Sequence, residues 1–415
     1  MSRRVLFVHQ GFPGQFVRLA PLCARQGWEV VALGMHAAPP LPGVRYCRYG
    51  IPERPRADLD ELLTGLDAKR LRALGAGNAA RQLRDSGFTP DVIVVHPGWG
   101  ESLLLREVWP QALQLHYCEF FYHPHGLDTD FDPEFAPPAD DWQLNLRFKN
   151  ATLLLALADM NAGVAPTRFQ RQLFPTHLQA AIACIHDGVD TDRLCPDPQA
   201  ELVLDGEVYR AGEAIITHVN RSLEPMRGIH SFLRALPAIQ AARPDARVLI
   251  AGMPARGYGV ALPAGHADWP SVLQAELQGA VDWSRVRFAG RLDHEQLRRL
   301  YQVSAAHVYL SYPFVLSWSV LEAMSCGVRL VASRTAPLAE LVLHGENGLL
   351  VDFFDTAAIA GSVLSLLAHP EHYDDLRARA RQTVVAGYDW QRVCAPRWLA
   401  LLRRLADSRV APRSV

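Results

Sequence analysis

The chain has 415 residues, more than one hydrophobic core usually organises, and 49% of them are apolar against 20% charged. That balance belongs to a folded protein of two domains and excludes disorder as the main state. Lysine plus arginine number 42 and aspartate plus glutamate 43, a formal net charge of −1, so the basic surface that draws a protein onto phosphate backbones is missing and nucleic acid is excluded as a principal partner.

Two arginines and a short apolar run open the chain, too little for a secretory signal. No apolar stretch approaches the roughly 20 residues of a membrane helix. The seven cysteines are scattered with no CxxC pair, as reduced residues of a cytoplasmic protein would be. The expected location is therefore the cytoplasm, with peripheral contact at the inner face of a membrane as the furthest excursion. Lys69 and Lys149 are the only lysines. Neither sits at a strand end among small residues, as a Schiff-base lysine would, and no phosphate loop ending in Gly-Lys-Ser/Thr occurs.

Val5 to His9 reads as a strand that ends in the breaker cluster Gly11-Phe12-Pro13-Gly14. Phe16, Leu19, Ala20 and Cys23 then recur at helical spacing up to a capping Gly27. Further strands are expected at Trp28–Leu33, Asp91–His96 and around Leu113–Cys118. The same grammar restarts with a strand at Ala214–Val219 and a helix at Gly228–Gln240. Strands at Arg247–Ala251, Val286–Ala289, His307–Leu310 and Val328–Ala332 follow, with helices between. Continuous apolar strands alternating with helices predict parallel sheets covered on both faces. The fold class is α/β: two doubly wound, Rossmann-like units, 1–205 and 206–389, with the polar segment 187–207 as hinge and a ligand cleft at the strand carboxyl ends. A last helix, 390–407, carries an apolar face of Val393, Trp398, Leu401, Leu402 and Leu405 and is expected to pack back on the first unit.

Two segments carry candidate chemistry. After the strand ending at Val219 comes Asn220-Arg221-Ser222-Leu223-Glu224-Pro225-Met226-Arg227-Gly228, where two arginines flank a strand-to-helix loop. Guanidinium forks beside a helix N-terminus suit a diphosphate, although the arginines have a simpler use in pairing with Glu224 and other surface acids. The second segment, Tyr312 to Gly327, starts a helix near Trp318 and places Glu322 about one turn inside it, within reach of a ribose diol. Ser319-Val320-Leu321-Glu322 also has the form of a capping box, in which Glu322 would only close the helix start. Asp128-Thr129-Asp130 and Asp190-Thr191-Asp192 each read as DxD, but both sit where Asx-turns are ordinary, and no metal is expected. No G-x-S-x-G or H-E-x-x-H motif supports hydrolase chemistry.

Taken together these marks resemble the retaining glycosyltransferases of sequence family four, which have the GT-B fold. The resemblance rests on R-x5-K/R-G at Arg221, Arg227 and Gly228, LEAMxxG at Leu321–Gly327, NGLLV at Asn347–Val351 and IHDGVDTDR at Ile185–Arg193. The opening VLFVHQGFPGQF is similar to a bacterial subgroup. The resemblance implies that Arg221 and Arg227 hold the donor diphosphate, Glu322 the nucleotide ribose, and the amides of Leu316, Ser317, Trp318 and Ser319 the diphosphate and sugar. It implies close backbone approach at Gly14 and the base near Arg291 and Leu292. On the acceptor side it points to His116 or Glu119, with His96 and Trp99 as further candidates. The family's first acid, eight positions before Glu322, is Phe314 in this chain, which shifts sugar recognition to other groups.

The expected activity is transfer of a hexose-type sugar from a nucleotide sugar to an acceptor hydroxyl on a glycan, protein or small molecule, without metal or other cofactor. A catalytically silent relative that binds nucleotide sugar or a partner, or a nucleotide-sugar epimerase, are the alternatives.

Overall fold

The computed structural model describes residues 3–54, 56, 58–135, 142–254, 257 and 259–408. They divide into two compact units. The first takes the described parts of Met1–Pro124, Pro137–Gly188 and Gln391–Val415; the second takes those of His125–Ala136 and Val189–Trp390.

In the first unit, β1 (Arg4–Val8), β2 (Glu29–Gly34), β3 (Val44–Arg48), β4 (Val92–Val95), β5 (Leu113–Tyr117), β6 (Ala162–Ala165) and β7 (Ile182–Cys184) form one sheet in the order β3-β2-β1-β4-β5-β6-β7. Every pairing is parallel. Val5, Leu6, Phe7 and Val8 are fully buried, which is why this strand has no polar alternation: helices cover both of its faces. Burial of each such side chain contributes about 1.5–3 kcal/mol. The helix Ala395–Ser408 belongs to this unit. Its Trp398, Leu401 and Leu402 are buried, and Trp398 Nε1 donates to the His186 carbonyl at 3.2 Å.

The second unit begins with a hairpin of β8 (Glu201–Leu204) and β9 (Glu207–Arg210), antiparallel to each other. It continues with β10 (Ile215–Ser222), β11 (Arg247–Met253), β12 (Val286–Gly290), β13 (Ala306–Tyr309), β14 (Leu330–Ser333) and β15 (Leu349–Val351), a parallel sheet in the order β12-β11-β10-β13-β14-β15. Its core includes Leu202, Leu204 and Tyr209 of the hairpin. The segment expected to be a plain hinge thus contributes to this core, and the chain enters the second unit at Val189, ahead of residue 206. Val189 is already bound there, its amide donating to Tyr388 O and its carbonyl accepting from the Trp390 amide, each at 2.8 Å.

An arm, residues 125–135, interrupts the first unit and packs in the second. Phe131 lies against Tyr312 and Phe354 with ring centroids 5.0 and 5.2 Å away, and the Tyr312 hydroxyl donates to Asp132 Oδ2 at 2.6 Å. Among the described residues, none of the seven cysteines is in a disulfide. Among the described residues no helix is long and apolar enough to cross a membrane.

Both parallel sheets reverse their winding direction once. After β1, β2 and β3 run one way, β4 starts on the other side of β1; after β10, β11 and β12, β13 starts on the other side of β10. At such a switch point neighbouring connections diverge and leave a crevice at the strand carboxyl ends, where open α/β sheets bind ligands.

Candidate functional site

The second unit's switch point carries the arginine loop. The register of β10 against β11 shifts between Val219 and Ser222, a bulge that re-aims the strand end and leaves Arg221 exposed. A short 3-10 turn, Pro225–Arg227, follows, and then Gly228 with φ of 72° caps the helix Ile229–Ala242. A Cβ at Gly228 would fall 2.2 Å from Leu310 Cβ, so glycine alone lets this helix start against the end of β13. The switch point is tied across by His218 and Asn220. His218 Nδ1 donates to Val308 O at 2.9 Å, and Asn220 Nδ2 lies 3.0 Å from His218 Nε2 and 3.2 Å from Arg227 O.

Arg227 is only 9% exposed and its Nη1 is buried without a hydrogen-bond partner. Among the described residues no carboxylate pairs with Arg221 or Arg227. Glu224, the acid that offered a simple partner in the sequence, receives the amides of Gly257 and Gly259 at 3.1 and 2.9 Å. What faces the Arg227 guanidinium is the ring of Phe314, 5.7 Å from Cζ to centroid. An aromatic face holds a cation without cancelling its charge. A buried cation lacking a counter-ion is costly.

Tyr312 links this loop to the next, its amide donating to Met226 O at 3.0 Å. The helix Trp318–Ser325 then begins, and its N-cap is Ser317, whose Oγ accepts the Ser319 amide at 3.3 Å. The capping box proposed for Ser319 and Glu322 therefore does not form, because the helix starts two residues earlier than that motif requires. It also engages the Ser319 amide, one of the four expected to face a ligand. Leu316 is buried, whereas Ser317, Trp318, Ser319 and Glu322 remain half-buried. Arg291 is exposed and Leu292 half-buried after β12, directly before the capping box of Asp293 and Gln296. Replacing Phe314 by Leu removes the aromatic face, and a five- to thirty-fold rise in KM for the nucleotide sugar is expected, or about 1–2 kcal/mol. Donor titration of the variant checks this; an unchanged KM refutes the role of the ring.

The first unit's switch point carries a polar group that the sequence only half discloses. His9 follows β1, His96 follows β4 and Glu119 lies just past β5. His9 Nε2 is 2.8 Å from Gln15 Oε1, Gln15 Nε2 donates to Glu119 Oε1 at 2.7 Å, and His96 Nε2 is 3.1 Å from Glu119 Oε2. The Gly98 amide donates to His96 Nδ1 at 3.2 Å, so the neutral ring carries its proton on Nε2 and gives it to Glu119, an assignment made from the bonds. Trp99 stacks on His96 at 4.0 Å and meets His9 edge-on at 4.8 Å. Gly14, with φ of 47°, lies so close that a Cβ there would sit 2.5 Å from the His9 ring.

Burial pushes the Glu119 carboxyl up, but the bonds from His96 and Gln15 outweigh it and hold the group below its ordinary range. Burial, helped by the neighbouring His96, pushes His9 down to about 3. At neutral pH His9 is therefore uncharged, and the carboxylate of Glu119 is held by the Gln15 amide and the His96 ring. His9 and Gln15 were not singled out in the sequence, although both lie in the HQGFPGQF loop. His116, the other acceptor-side candidate, is fully buried within β5 and bonded to Gln114 at 3.0 Å. Strand alternation turns it away from the position of Glu119, and it lies outside this group.

One aspartate of each DxD closes a turn. Asp130 accepts the Gly126 amide at 2.9 Å and Asp190 the Arg193 amide at 3.2 Å. Among the described residues, Asp132, Glu134 and His230 lie within reach of a common cation. Asp132 is engaged by Tyr312, however, and Glu134 by both terminal nitrogens of Arg234 at 2.7 and 2.8 Å.

Residues 26–194 match the family described as the glycosyl transferase family 4 group, and residues 207–383 the family described as glycosyl transferases group 1. The glycogen synthase of Mycobacterium tuberculosis is 27% identical over 326 residues, 78% of this chain and 69% of that protein. The GDP-mannose-dependent alpha-(1-6)-phosphatidylinositol monomannoside mannosyltransferase of Mycolicibacterium smegmatis is 30% identical over 54% of this chain and 58% of its own length. Among solved structures, sucrose-phosphate synthase from Thermosynechococcus elongatus aligns with a TM-score of 0.71 at 19% identity, covering 98% of this chain and all (100%) of that one. Anabaena HepE, solved with UDP and glucose, aligns with 0.68 at 16% identity, covering 97% and 100%. With the arginine loop on one switch point and the family matches spanning both units, the chain belongs to the family-four glycosyltransferases of GT-B fold.

Proposed function

We propose that the protein is a retaining, metal-independent transferase that moves a hexose-type sugar from a nucleoside diphosphate sugar to an acceptor hydroxyl, in the cytoplasm. The observation that carries this reading is Arg227, buried without a counter-ion at a switch point. In the proposed reaction the bond from the anomeric carbon to the diphosphate oxygen breaks as the acceptor oxygen bonds on the same face. The acceptor proton passes to the departing phosphate oxygen, so the anomeric configuration is kept. Arg221, Arg227 and the adjoining helix-start amides stabilise the charge that develops on the diphosphate, which a fixed cation does without reorganisation. Glu322 accepts from the ribose diol, and the loop at Arg291 and Leu292 meets the base. His96, Trp99 and Glu119 serve the acceptor, with Gln15 and His9 holding Glu119 in place.

Names of relatives support the donor class. One is a glycogen synthase, one uses GDP-mannose, and one was solved with UDP and glucose. Incubation with UDP-, GDP-, dTDP- and ADP-sugars tests the reading. Slow release of nucleoside diphosphate supports transfer, while binding without release supports the silent relative that Phe314 brings into consideration. NMR of the product's anomeric proton decides retention. Because guanidiniums do the work of a metal, EDTA is expected to leave turnover within two-fold of the untreated rate, and its abolition would overturn the metal-free reading. Glu119→Gln keeps the size of the side chain but removes its charge; kcat is expected to fall about a hundred-fold with donor KM little changed, read by steady-state kinetics in both substrates.

A further inference from the structure

The second unit holds a cavity of about 700 Å³ at the end of its sheet remote from the arginine loop. It is lined by Ala214, Arg247, Ala305 and Arg329, which stand at the starts of β10, β11, β13 and β14. The eight residues of β10 put it roughly 25 Å from Arg221, at 3.3 Å per residue. We infer that this cavity is a second anion site, fitted to a small hydroxylated phosphomonoester and separate from the donor loop.

Four arginines line it: Arg243, Arg247, Arg329 and Arg377. Each is better buried than the carboxylate it meets. Arg329 is 13% exposed against 61% for Asp374, and Arg243 is 26% exposed against 61% for Asp245. Asp197, Glu213 and Asp245 line the cavity beside the arginines, whereas Asp374 lies outside the lining, and pairs as exposed as these are weak. The charge is also uneven along the sheet. At the β11 end Arg247 meets two acids, Glu207 and Glu213. At the β14 end two guanidiniums share one carboxylate: Asp374 Oδ1 lies 2.9 Å from Arg329 Nη2 and 3.7 Å from Arg377 Nη1. Within 4 Å that end sets two guanidiniums against one carboxylate, with Glu371 as a further acid acting on Arg329 from beyond that distance.

The two arginines are also held still. Arg329 Nε donates to Pro370 O at 3.2 Å and Arg377 Nε to Gly327 O at 2.9 Å, which orients their terminal nitrogens at small entropic cost to binding. Burial and then the adjacent Arg377 lower the affinity of Arg329 for its own proton, a crowding that a dianion seated between them would relieve. Between the two ends the wall is small, formed by Gly212, Ala214, Ser304 and Ala305, and Glu213 offers an acceptor for hydroxyls. A phosphate at the β14 end with a hydroxylated skeleton toward the β11 end fits this arrangement.

This inference does not depend on the transferase reading, and its test uses no turnover. Calorimetry of the full chain with glycerol 3-phosphate and with inorganic phosphate, at matched ionic strength, is run on the parent and on Arg227→Ala, which removes the donor-loop anion site. Submillimolar binding of glycerol 3-phosphate is expected in both, at least five-fold tighter than phosphate, with slowed hydrogen exchange at 327–330 and 366–377. Arg377→Gln and Arg329→Gln should each weaken it ten-fold or more; if one of them fails to fold, the other decides. Loss of all binding in Arg227→Ala, or protection confined to 220–228, overturns the site. Equal affinity for the two anions overturns the phosphomonoester assignment.

Discussion

Arg227→Ala is expected to lower kcat/KM for the nucleotide sugar by about three orders of magnitude while the unliganded protein melts no lower than its parent. Charge-assisted hydrogen bonds to an anion contribute about 1.5–3 kcal/mol each, and a guanidinium makes two in one plane. Three orders correspond to about 4 kcal/mol. The stability half of the prediction comes from burial. Arg227 is 9% exposed, with one terminal nitrogen unpartnered, so alanine removes a desolvated charge along with the packing of its stem, and the two effects oppose each other. Thermal melting with and without nucleoside diphosphate separates them: the free protein holds its midpoint, and the rise on adding ligand disappears. Arg227→Lys should fall between, since a point charge replaces a planar fork. Parent-like kinetics in the alanine variant would remove the basis for the donor site.

The same residue shows why the sequence disclosed some parts and hid others. Arg221, Arg227 and Gly228 are close in the chain, so their shared place in one strand-to-helix loop could be read from spacing, while a donor role for them came only from the family resemblance. Strands such as Val5–Val8 announce themselves because burial on two faces leaves no room for polar alternation. The group around Glu119 is different. His9, Gln15, His96 and Glu119 come from three loops that meet only because β4 pairs with β1 and β5 with β4, and no local pattern encodes that adjacency. The one sequence signal was position, since each residue follows a strand closely. His116 and Glu119 could not be told apart without the strand's phase: Gln114 and His116 share a face in β5, and that face is buried.

The hairpin of β8 and β9 was legible and went unread. Leu202 and Leu204 alternate with exposed Glu201 and Val203, and the turn is Asp205-Gly206 with φ of 46° and 86°. Asp-Gly between alternating segments is a strong hairpin signal, masked here by prolines on its approach. The helix at Trp318 shows the reverse. Two serines two apart both suit an N-cap, and only the backbone turn at Ser317 decides between them. Phe314 was visible as a departure from the family pattern, yet its contact with Arg227 required the fold.

Acid should unfold this protein at an unusually mild pH, with a midpoint expected between about 4 and 5. Burial holds His9, His116, His186 and His307 neutral down to about 3 and His218 to about 4. In the unfolded chain each takes its proton near pH 6.5. Below that value the unfolded state binds protons that the native state refuses, so stability is intact above about pH 6.5 and drains away as pH falls toward the native values. Each histidine contributes up to about 1.4 kcal/mol per pH unit, and five of them about 7 kcal/mol per unit, against a total stability of about 5–15 kcal/mol. Carboxylates such as Glu119 and Asp132, held below their ordinary range, act in the same direction only from about pH 4 downward, so the early loss belongs to the histidines. Three of the five lie in the first unit and two in the second, so the first unit should give way at the higher pH. Hydrogen exchange across a pH series resolves the two, and His116→Gln should move the first unit's midpoint to lower pH while leaving the second unchanged. A native signal that persists unchanged from pH 7 to 3 would mean that these histidines are not held neutral by the folded chain.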